Sequence, residues 1–187
     1  ALTSPSAVPP PAHAGRSLTM SPPDRVCSVQ TATGTRAAVA SGHALASAEA
    51  LRVLATGGNI IDAAIGGAMV LAVVLPYACG IGGDMYMLIH DARTGKMHGL
   101  NGTGAAPSRA HASTFPDGMP QTGVRAATVP GVIMAWHDAL SHFGTRGMAE
   151  LLQPAIHLAR AGFPAHDGSI QNALERRKLI ARNPEAA

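Results

Sequence analysis

The stretch that most constrains this chain runs from Gly57 to Asp84, because its interior from residue 63 to residue 83 carries no charged side chain. The apolar first part, residues 63–75, must be buried in a folded protein. Pro76 ends that part, and a glycine-rich loop follows at residues 79–83. Glycines let backbone N–H groups approach a ligand closely. The sequence therefore predicts a buried helix that leads into a candidate binding loop.

Composition limits the classes of function. Hydrophobic residues make up 47% of the 187 residues and charged residues only 13%, which is enough apolar material for one domain with a core. The formal charge of +3 is scattered, and the nearest basic cluster, residues 175–178, has no interleaved aromatic residue. That pattern favours a solvated helix face over a nucleic-acid surface. The apolar run 63–75 is shorter than the roughly 20 residues that cross a bilayer, so we expect no membrane span.

Cysteine and histidine give weak signals for chemistry. Cys27 and Cys79 form no CxxC pair, and Cys79 is interpreted as a small buried residue rather than as a thiol nucleophile at the glycine loop. The nine histidines show no metal-binding spacing. His90 and His98 could face each other across a hairpin, but no third ligand is spaced to join them.

The chain divides into an arm and a core. Residues 1–35 are rich in Pro, Ser and Ala and are predicted to form a flexible N-terminal arm, whereas residues 36–187 form the predicted core, which we expect to be completed by more of a longer polypeptide or by a partner chain. The first 30 residues lack the continuous apolar segment of a secretory signal. We therefore expect a cytoplasmic location, with a periplasmic one left open.

Apolar spacing and turn residues predict a mixed fold with antiparallel strand pairing. Strands that follow one another in hairpin order, with helices before and after, favour an α+β fold in which a sheet is layered against helices. Helices are predicted at 43–56, 60–75, 130–143, 148–161 and 167–182, and strands at 36–41, 85–90, 97–101 and 124–129.

Two glycine-containing loops flank the predicted hairpin of residues 85–101. They lie at residues 79–84 and 101–107, so both can converge at one end of the sheet. Their backbone N–H groups could hold an anion or an oxyanion there. The spacing alone is equally compatible with two tight turns that bind nothing.

A series of short motifs occurs in a fixed order between Val39 and about Pro164. They are Ala40–Ser47, Gly57–Asn59 with Asp62–Ala64, Gly80–Gly83, Ala106–Pro107, Val129–Gly131, and Pro154–Ile156 with Leu158–Ala159 and Gly162–Phe163. Any one of them alone would be weak. Together they resemble the front part of the large subunit in the gamma-glutamyltransferase family.

The resemblance implies an N-terminal-nucleophile hydrolase with a four-layer αββα sandwich. Its sheets would be shared with a small subunit that this chain does not contain. Such precursors cut themselves in two, and the new N-terminal Thr of the small subunit attacks an amide carbonyl with its own amine as base. No catalytic residue, metal or cofactor is then expected in this chain. Its partners would be the small subunit and a small amide, with a dimer of such heterodimers left open.

One departure bears on the substrate. Relatives that use gamma-glutamyl donors carry an Arg-Glu pair ahead of Ala-Pro, and the Arg clamps the donor's α-carboxylate. Here Thr103 and Gly104 stand at those two positions. A hydroxyl cannot replace a bidentate guanidinium, because charge-assisted pairs are about twice as strong as neutral hydrogen bonds. This version resembles the amidohydrolase offshoots of the family, of the oxamate amidohydrolase and cephalosporin acylase types.

We therefore expect the large-subunit part of a self-processing amidohydrolase. The predicted substrate-binding residues are Asn101, Thr103 and Gly104, and the predicted pocket loop contains Gly80, Gly82 and Gly83.

Two alternatives stay open at this stage. In the first, the protein is a gamma-glutamyl hydrolase or transferase that acts on glutathione-like donors, and Arg109 or Arg125 binds the carboxylate. In the second, it is a non-catalytic scaffold whose precursor is never processed. The sequence downstream of this chain would distinguish the scaffold from an enzyme. A scaffold needs no Thr, Ser or Cys nucleophile at the junction where the precursor would be cleaved.

Overall fold

The computed structural model of the protein describes residues 32–120 and 123–181. The longer elements of this part, in chain order, are helices α1 (Ala44–Ala55) and α2 (Ile60–Val74), strands β1 (Tyr86–Asp91) and β2 (Lys96–Asn101), and helices α3 (Val132–Phe143), α4 (Met148–Ala161) and α5 (Asp167–Ile180). They lie in one unit that starts at Gly34. Most of the predicted arm, residues 1–31, lies outside the described residues. The flexibility of the arm, the absence of a pairing role for Cys27 and the expected cellular location therefore stay predictions.

The predicted helices are confirmed, because their end signals are local. His43 Nδ1 accepts a hydrogen bond from the Leu45 N–H and caps α1, and Gly57 follows the helix with a φ of 90°. Asn59 caps α2 by accepting hydrogen bonds from the backbone of the first turn. Helix α3 begins at Val132, two residues later than predicted, because Gly131 is its N-cap. None of the described helices is both long and apolar enough to cross a membrane.

Helix α2 forms the centre of the core and packs against α1, α3 and α4. Its side chains Ile65, Met69 and Val70 are almost fully buried. Gly67 permits the close approach of α1, since a Cβ there would lie 3.3 Å from the Ala46 carbonyl oxygen. At Gly66 a methyl group would make only ordinary contacts. Close packing at this glycine pair therefore depends on the second glycine.

Asp62 is the buried charge around which the helices are joined, and its side chain is fully shielded from solvent. One carboxylate oxygen accepts from the backbone N–H groups of Thr145 (2.8 Å) and Arg146 (3.1 Å). The other accepts from the Thr145 hydroxyl (2.6 Å) and the Asn59 N–H (2.8 Å). The amide of Asn59 in turn donates to the Phe143 carbonyl at 2.6 Å. The start of α2 is thereby fixed to the turn between α3 and α4.

The hairpin of β1 and β2 is antiparallel, with Tyr86 opposite Asn101 and Asp91 opposite Lys96. Gly95 occupies the turn with a φ of 68°, a conformation that favours glycine. Ile89 is buried against the helices, whereas the other face of β1 leaves Leu88 exposed. The mixed helix and strand content confirms the predicted α+β class.

Two predicted strands are not formed. Residues 36–41 have no regular structure and are mostly exposed, and residues 124–126 form a short 3-10 helix followed by residues without regular structure. A strand needs a neighbouring strand to satisfy its backbone groups. Within the described residues β1 and β2 pair only with each other. Both errors have the same origin, since short apolar sequences fit a strand pattern whether or not a partner is in reach.

We predict that Asp62→Ala lowers the free energy of unfolding by about 3 kcal/mol, because several buried donors lose their charged acceptor. The measurement is urea unfolding of the full-length protein. Asp117→Ala is the matched control, since Asp117 is exposed, and it should change stability by less than about 0.5 kcal/mol. Equal effects of the two substitutions would contradict the structural role of Asp62.

The same carboxylate should make the free energy of unfolding depend on pH. Burial opposes ionisation of Asp62, but its hydrogen bonds with Thr145, Asn59 and Arg146 outweigh burial and hold its pKa below the usual value. A lowered folded-state pKa stabilises the fold above the unfolded-state pKa, and this contribution is lost as the pH falls below about 4. The free energy of unfolding of Asp62→Asn, measured between pH 6 and pH 3, should therefore fall less with decreasing pH than that of the wild type.

Candidate functional site

Three segments meet at the open end of the hairpin: the loop 79–84, the segment 101–105 and the segment 128–132. The carbonyl of Gly83 accepts hydrogen bonds from Gly131 N (3.1 Å) and Val132 N (3.0 Å) at the start of α3. The hairpin is extended by one pair, because the Gly102 N–H donates to the Met85 carbonyl at 2.7 Å. The predicted convergence of the two glycine-containing loops is therefore present.

Glycines permit this crossing. A Cβ on Gly104 would lie 1.3 Å from the Val129 carbonyl oxygen, and one on Gly131 would lie 2.3 Å from the Gly102 oxygen. A Cβ on Gly102 would lie 2.3 Å from the Ala135 Cβ in α3. Real Cβ atoms do not approach other atoms this closely, so each position requires glycine along the present path of the backbone. Gly104 in particular leaves no room for a glutamate side chain.

Asp84 joins the same segments electrostatically. Its Oδ1 accepts from the Gly104 N–H at 3.2 Å and from the Thr128 hydroxyl at 3.1 Å. The residue is solvent-exposed, so these are surface hydrogen bonds at the rim of the site. The negative charge that ends the uncharged stretch thus orients both neighbouring segments.

Asn101 and Thr103 form a small, neutral polar group. Asn101 Oδ1 accepts from the Thr103 N–H at 3.0 Å, which fixes the turn between them. The Thr103 hydroxyl donates to the hydroxyl of Tyr86, the residue that pairs with Asn101 across the hairpin. The Asn101 amide group donates no hydrogen bond to any described residue and is exposed. A ligand at this rim would meet amide and hydroxyl groups but no cation.

Only one residue of the predicted pocket loop, Gly83, is hydrogen-bonded to the segments that form the site. Gly83 contacts α3 through its carbonyl, whereas Gly80 and Gly82 are exposed, with no atom within 4 Å of an added Cβ. In the part of the chain that the structure describes, the N–H groups of residues 80–83 donate no hydrogen bond. The loop thus offers unused donors, and the placement of Gly80 and Gly82 against a ligand stays a prediction.

Three residues of the site were missed from sequence: Asp84, Tyr86 and Thr128. Asp84 had a usable signal as the first charge after the long uncharged stretch. Tyr86 follows from the hairpin register, because residues opposite each other in adjacent strands share a face. Thr128 had no signal, since its contact with Asp84 joins positions far apart in sequence.

A cavity of about 220 Å³ adjoins the site. Its wall includes Ala106 and Pro107, directly after the 101–105 segment, and it reaches Thr128 on the other side. Arg109 and Arg125, the two cations considered from sequence as carboxylate ligands, both line it.

The structure contradicts the facing histidine pair. His90 pairs with Met97 and His98 pairs with Ile89, so the two imidazoles lie on opposite faces of the hairpin. His98 packs on Phe143, with ring centroids 5.0 Å apart. Among residues 32–120 and 123–181, no three His, Cys, Asp or Glu side chains are grouped as metal ligands. Cys79 is a half-buried free thiol.

Comparison with known proteins gives consistent results. Residues 46–187 match the gamma-glutamyltranspeptidase family. The glutathione hydrolase-like YwrD proenzyme of Bacillus subtilis is 33% identical over 82% of this chain, and the acylase ACY 1 proenzyme of a Pseudomonas species is 37% identical over 75%. The structure of Helicobacter pylori gamma-glutamyltranspeptidase superimposes with a TM-score of 0.79 and 31% identity, covering 84% of this chain and 47% of that one.

The chain spans only part of these proteins, covering 30% of the length of the Bacillus relative and 27% of the Pseudomonas acylase. The shared fold of the solved structure confirms the predicted N-terminal-nucleophile hydrolase type. The described residues contribute to it one hairpin and a layer of helices, of which α3 contacts β2.

We predict that Gly104→Ala destabilises the full-length protein by about 3 kcal/mol, because the new methyl group must displace the Val129 carbonyl. Gly82→Ala is the matched control, since nothing lies within 4 Å of its added Cβ, and its effect should stay within about 0.5 kcal/mol. Thermal and urea unfolding provide the measurement. The crossing described above would be wrong if Gly104→Ala were as stable as Gly82→Ala.

Proposed function

The chain belongs to the gamma-glutamyltranspeptidase family, and we propose that it is part of the large subunit of a self-processing amidohydrolase. The relatives named above are proenzymes, one a glutathione hydrolase-like protein and one an acylase. By the chemistry of the family, the precursor would be cleaved once to expose a small subunit with an N-terminal Thr. The active enzyme would be the heterodimer of both pieces.

In the proposed reaction, the hydroxyl oxygen of that Thr bonds to the amide carbonyl carbon. Its proton passes to the Thr amine and then to the departing amine nitrogen. Water next attacks the acyl ester, which releases the carboxylic acid and restores the hydroxyl. An acceptor amine in place of water would give transfer.

The observation that carries the amidohydrolase proposal is the neutral segment of Asn101 and Thr103. By resemblance, Thr103 occupies the position where relatives with gamma-glutamyl donors have an Arg, and Gly104 that of the Glu. The Val129 carbonyl leaves no space for a Glu at 104, so the local backbone as well as the side chains suits a different acyl group. The Asn101 amide can donate, and the Thr103 oxygen can accept, a hydrogen bond with an uncharged part of that group.

The first test is the intact mass of the full-length gene product after purification, with N-terminal sequencing of any second fragment. We expect two fragments, the smaller of which begins with Thr. A single uncut chain in a folded preparation would contradict self-processing and favour the non-catalytic scaffold.

The second test addresses the pocket. Thr103→Val keeps the shape of the side chain but removes the hydroxyl, and we expect about a tenfold loss in kcat/KM on a small non-glutamyl anilide. Thr103→Ser keeps the hydroxyl and is the matched control, with activity near that of the wild type. Turnover of a gamma-glutamyl anilide as fast as that of the non-glutamyl anilide would argue against the proposed acyl specificity.

A further inference from the structure

Thr103, the proposed acyl-binding residue, is surrounded by hydrogen bonds from three other residues. Asn101 Oδ1 accepts from the Thr103 N–H at 3.0 Å. Asp84 Oδ1 accepts from the next N–H along the chain, that of Gly104, at 3.2 Å. The Thr103 hydroxyl itself donates to the hydroxyl of Tyr86. Both peptide N–H groups that flank the Thr103 side chain are therefore bound by side-chain oxygens.

The segment around Thr103 is intrinsically flexible. Gly102 and Gly104 lie on either side of it, and glycine has more conformational freedom in the unfolded chain than any other residue. The crossing with Val129 and Gly131 requires both glycines, so the segment cannot be made stiffer by larger residues there. The position of the Thr103 hydroxyl therefore depends on the hydrogen bonds that hold the segment.

Asp84 is suited to hold this segment, because its own backbone is held on both sides. Before it, the Gly83 carbonyl accepts from two N–H groups at the start of α3, at 3.1 and 3.0 Å. After it, the Met85 carbonyl accepts from the Gly102 N–H at 2.7 Å. The Asp84 side chain thus starts from a fixed point of the structure.

The same carboxylate also holds the neighbouring segment. Asp84 Oδ1 accepts from the Thr128 hydroxyl at 3.1 Å, and the Val129 N–H donates to the Ala105 carbonyl at 3.2 Å. Asp84 forms no ion pair with any of the described residues. Its full charge therefore strengthens the two hydrogen bonds that it accepts.

We propose that Asp84 is a positioning residue of the acyl-binding site, which sets the place of the Thr103 hydroxyl by holding the Gly104 N–H. This inference rests on the proposed amidohydrolase function. Asp84 acts through Thr103 and not by contact with the acyl group. A hydrogen bond weakens when its distance and angle leave a narrow range, so a displaced Thr103 should discriminate less between acyl groups.

The structural part of the proposal is tested without turnover, by hydrogen exchange of the full-length protein with mass spectrometry. Peptides that cover residues 101–105 should exchange about fivefold faster in Asp84→Ala than in the wild type, because the Gly104 N–H loses its acceptor. Asp84→Asn keeps a side-chain oxygen as acceptor and should stay near the wild-type rate. Asp117→Ala, at an exposed aspartate, is the matched control. Wild-type exchange in Asp84→Ala would overturn the positioning role.

The kinetic part is tested with glycolyl and propionyl anilides, which are nearly equal in size and differ by a hydroxyl in place of a methyl group. The ratio of their kcat/KM values does not depend on the fraction of folded enzyme, so a general loss of stability leaves it unchanged. We expect a ratio of about tenfold in favour of the glycolyl anilide in the wild type, and about twofold or less in Asp84→Ala. Asp84→Asn should retain most of the wild-type ratio, whereas Thr103→Val should lose it.

The two tests separate failure of the positioning role from failure of the function. If the anilides are cleaved with the same ratio in Asp84→Ala as in the wild type, the positioning role is wrong and the amidohydrolase function stands. If neither anilide is cleaved while exchange at residues 101–105 still depends on the acceptor at residue 84, the amidohydrolase function fails. The kinetic role then fails with it, and only the anchoring of the segment by Asp84 stands.

Discussion

The buried carboxylate of Asp62 is the interaction on which the helical layer depends. It accepts hydrogen bonds from both sides of an interface: from Asn59 at the start of α2, and from Thr145 and Arg146 in the turn between α3 and α4. Arg146 also donates to the Thr56 carbonyl at the end of α1. The turn between α3 and α4 thus fixes α1 and α2 as well, and the packing of these helices supports the hairpin through Ile89. An apolar residue at 62 could fill the volume but could not satisfy these donors.

The candidate site depends on a second constraint, which is steric. The segment 101–105 can cross the start of α3 only because Gly102, Gly104 and Gly131 lack side chains. The crossing brings the neutral pair Asn101 and Thr103 to the rim of the site, and it positions the loop after Gly104 as a wall of the arginine-lined cavity. The departure at residues 103–104 is therefore part of the backbone geometry, and a change of side chains alone would not restore the Arg-Glu pair.

The charged side chains around the candidate site are unevenly distributed. The position that resembles the carboxylate clamp holds a hydroxyl, while two unneutralised cations lie in the adjacent cavity. The cations of this region therefore lie in the cavity wall and not at the neutral rim formed by Asn101 and Thr103.

The sequence by itself determined the α-helices and the hairpin, because these follow from apolar periodicity and from turn residues within a few positions of one another. It also predicted that the loops at 79–84 and 101–107 converge. It could not exclude the strands predicted at 36–41 and 124–129, since pairing depends on whether a neighbour is in reach. The roles of Asp84 and Thr128, the separation of His90 from His98, and the cavity shared by Arg109 and Arg125 were decided only by the tertiary structure. Each of these features depends on which residues the folded backbone brings together, and no local sequence pattern encodes that.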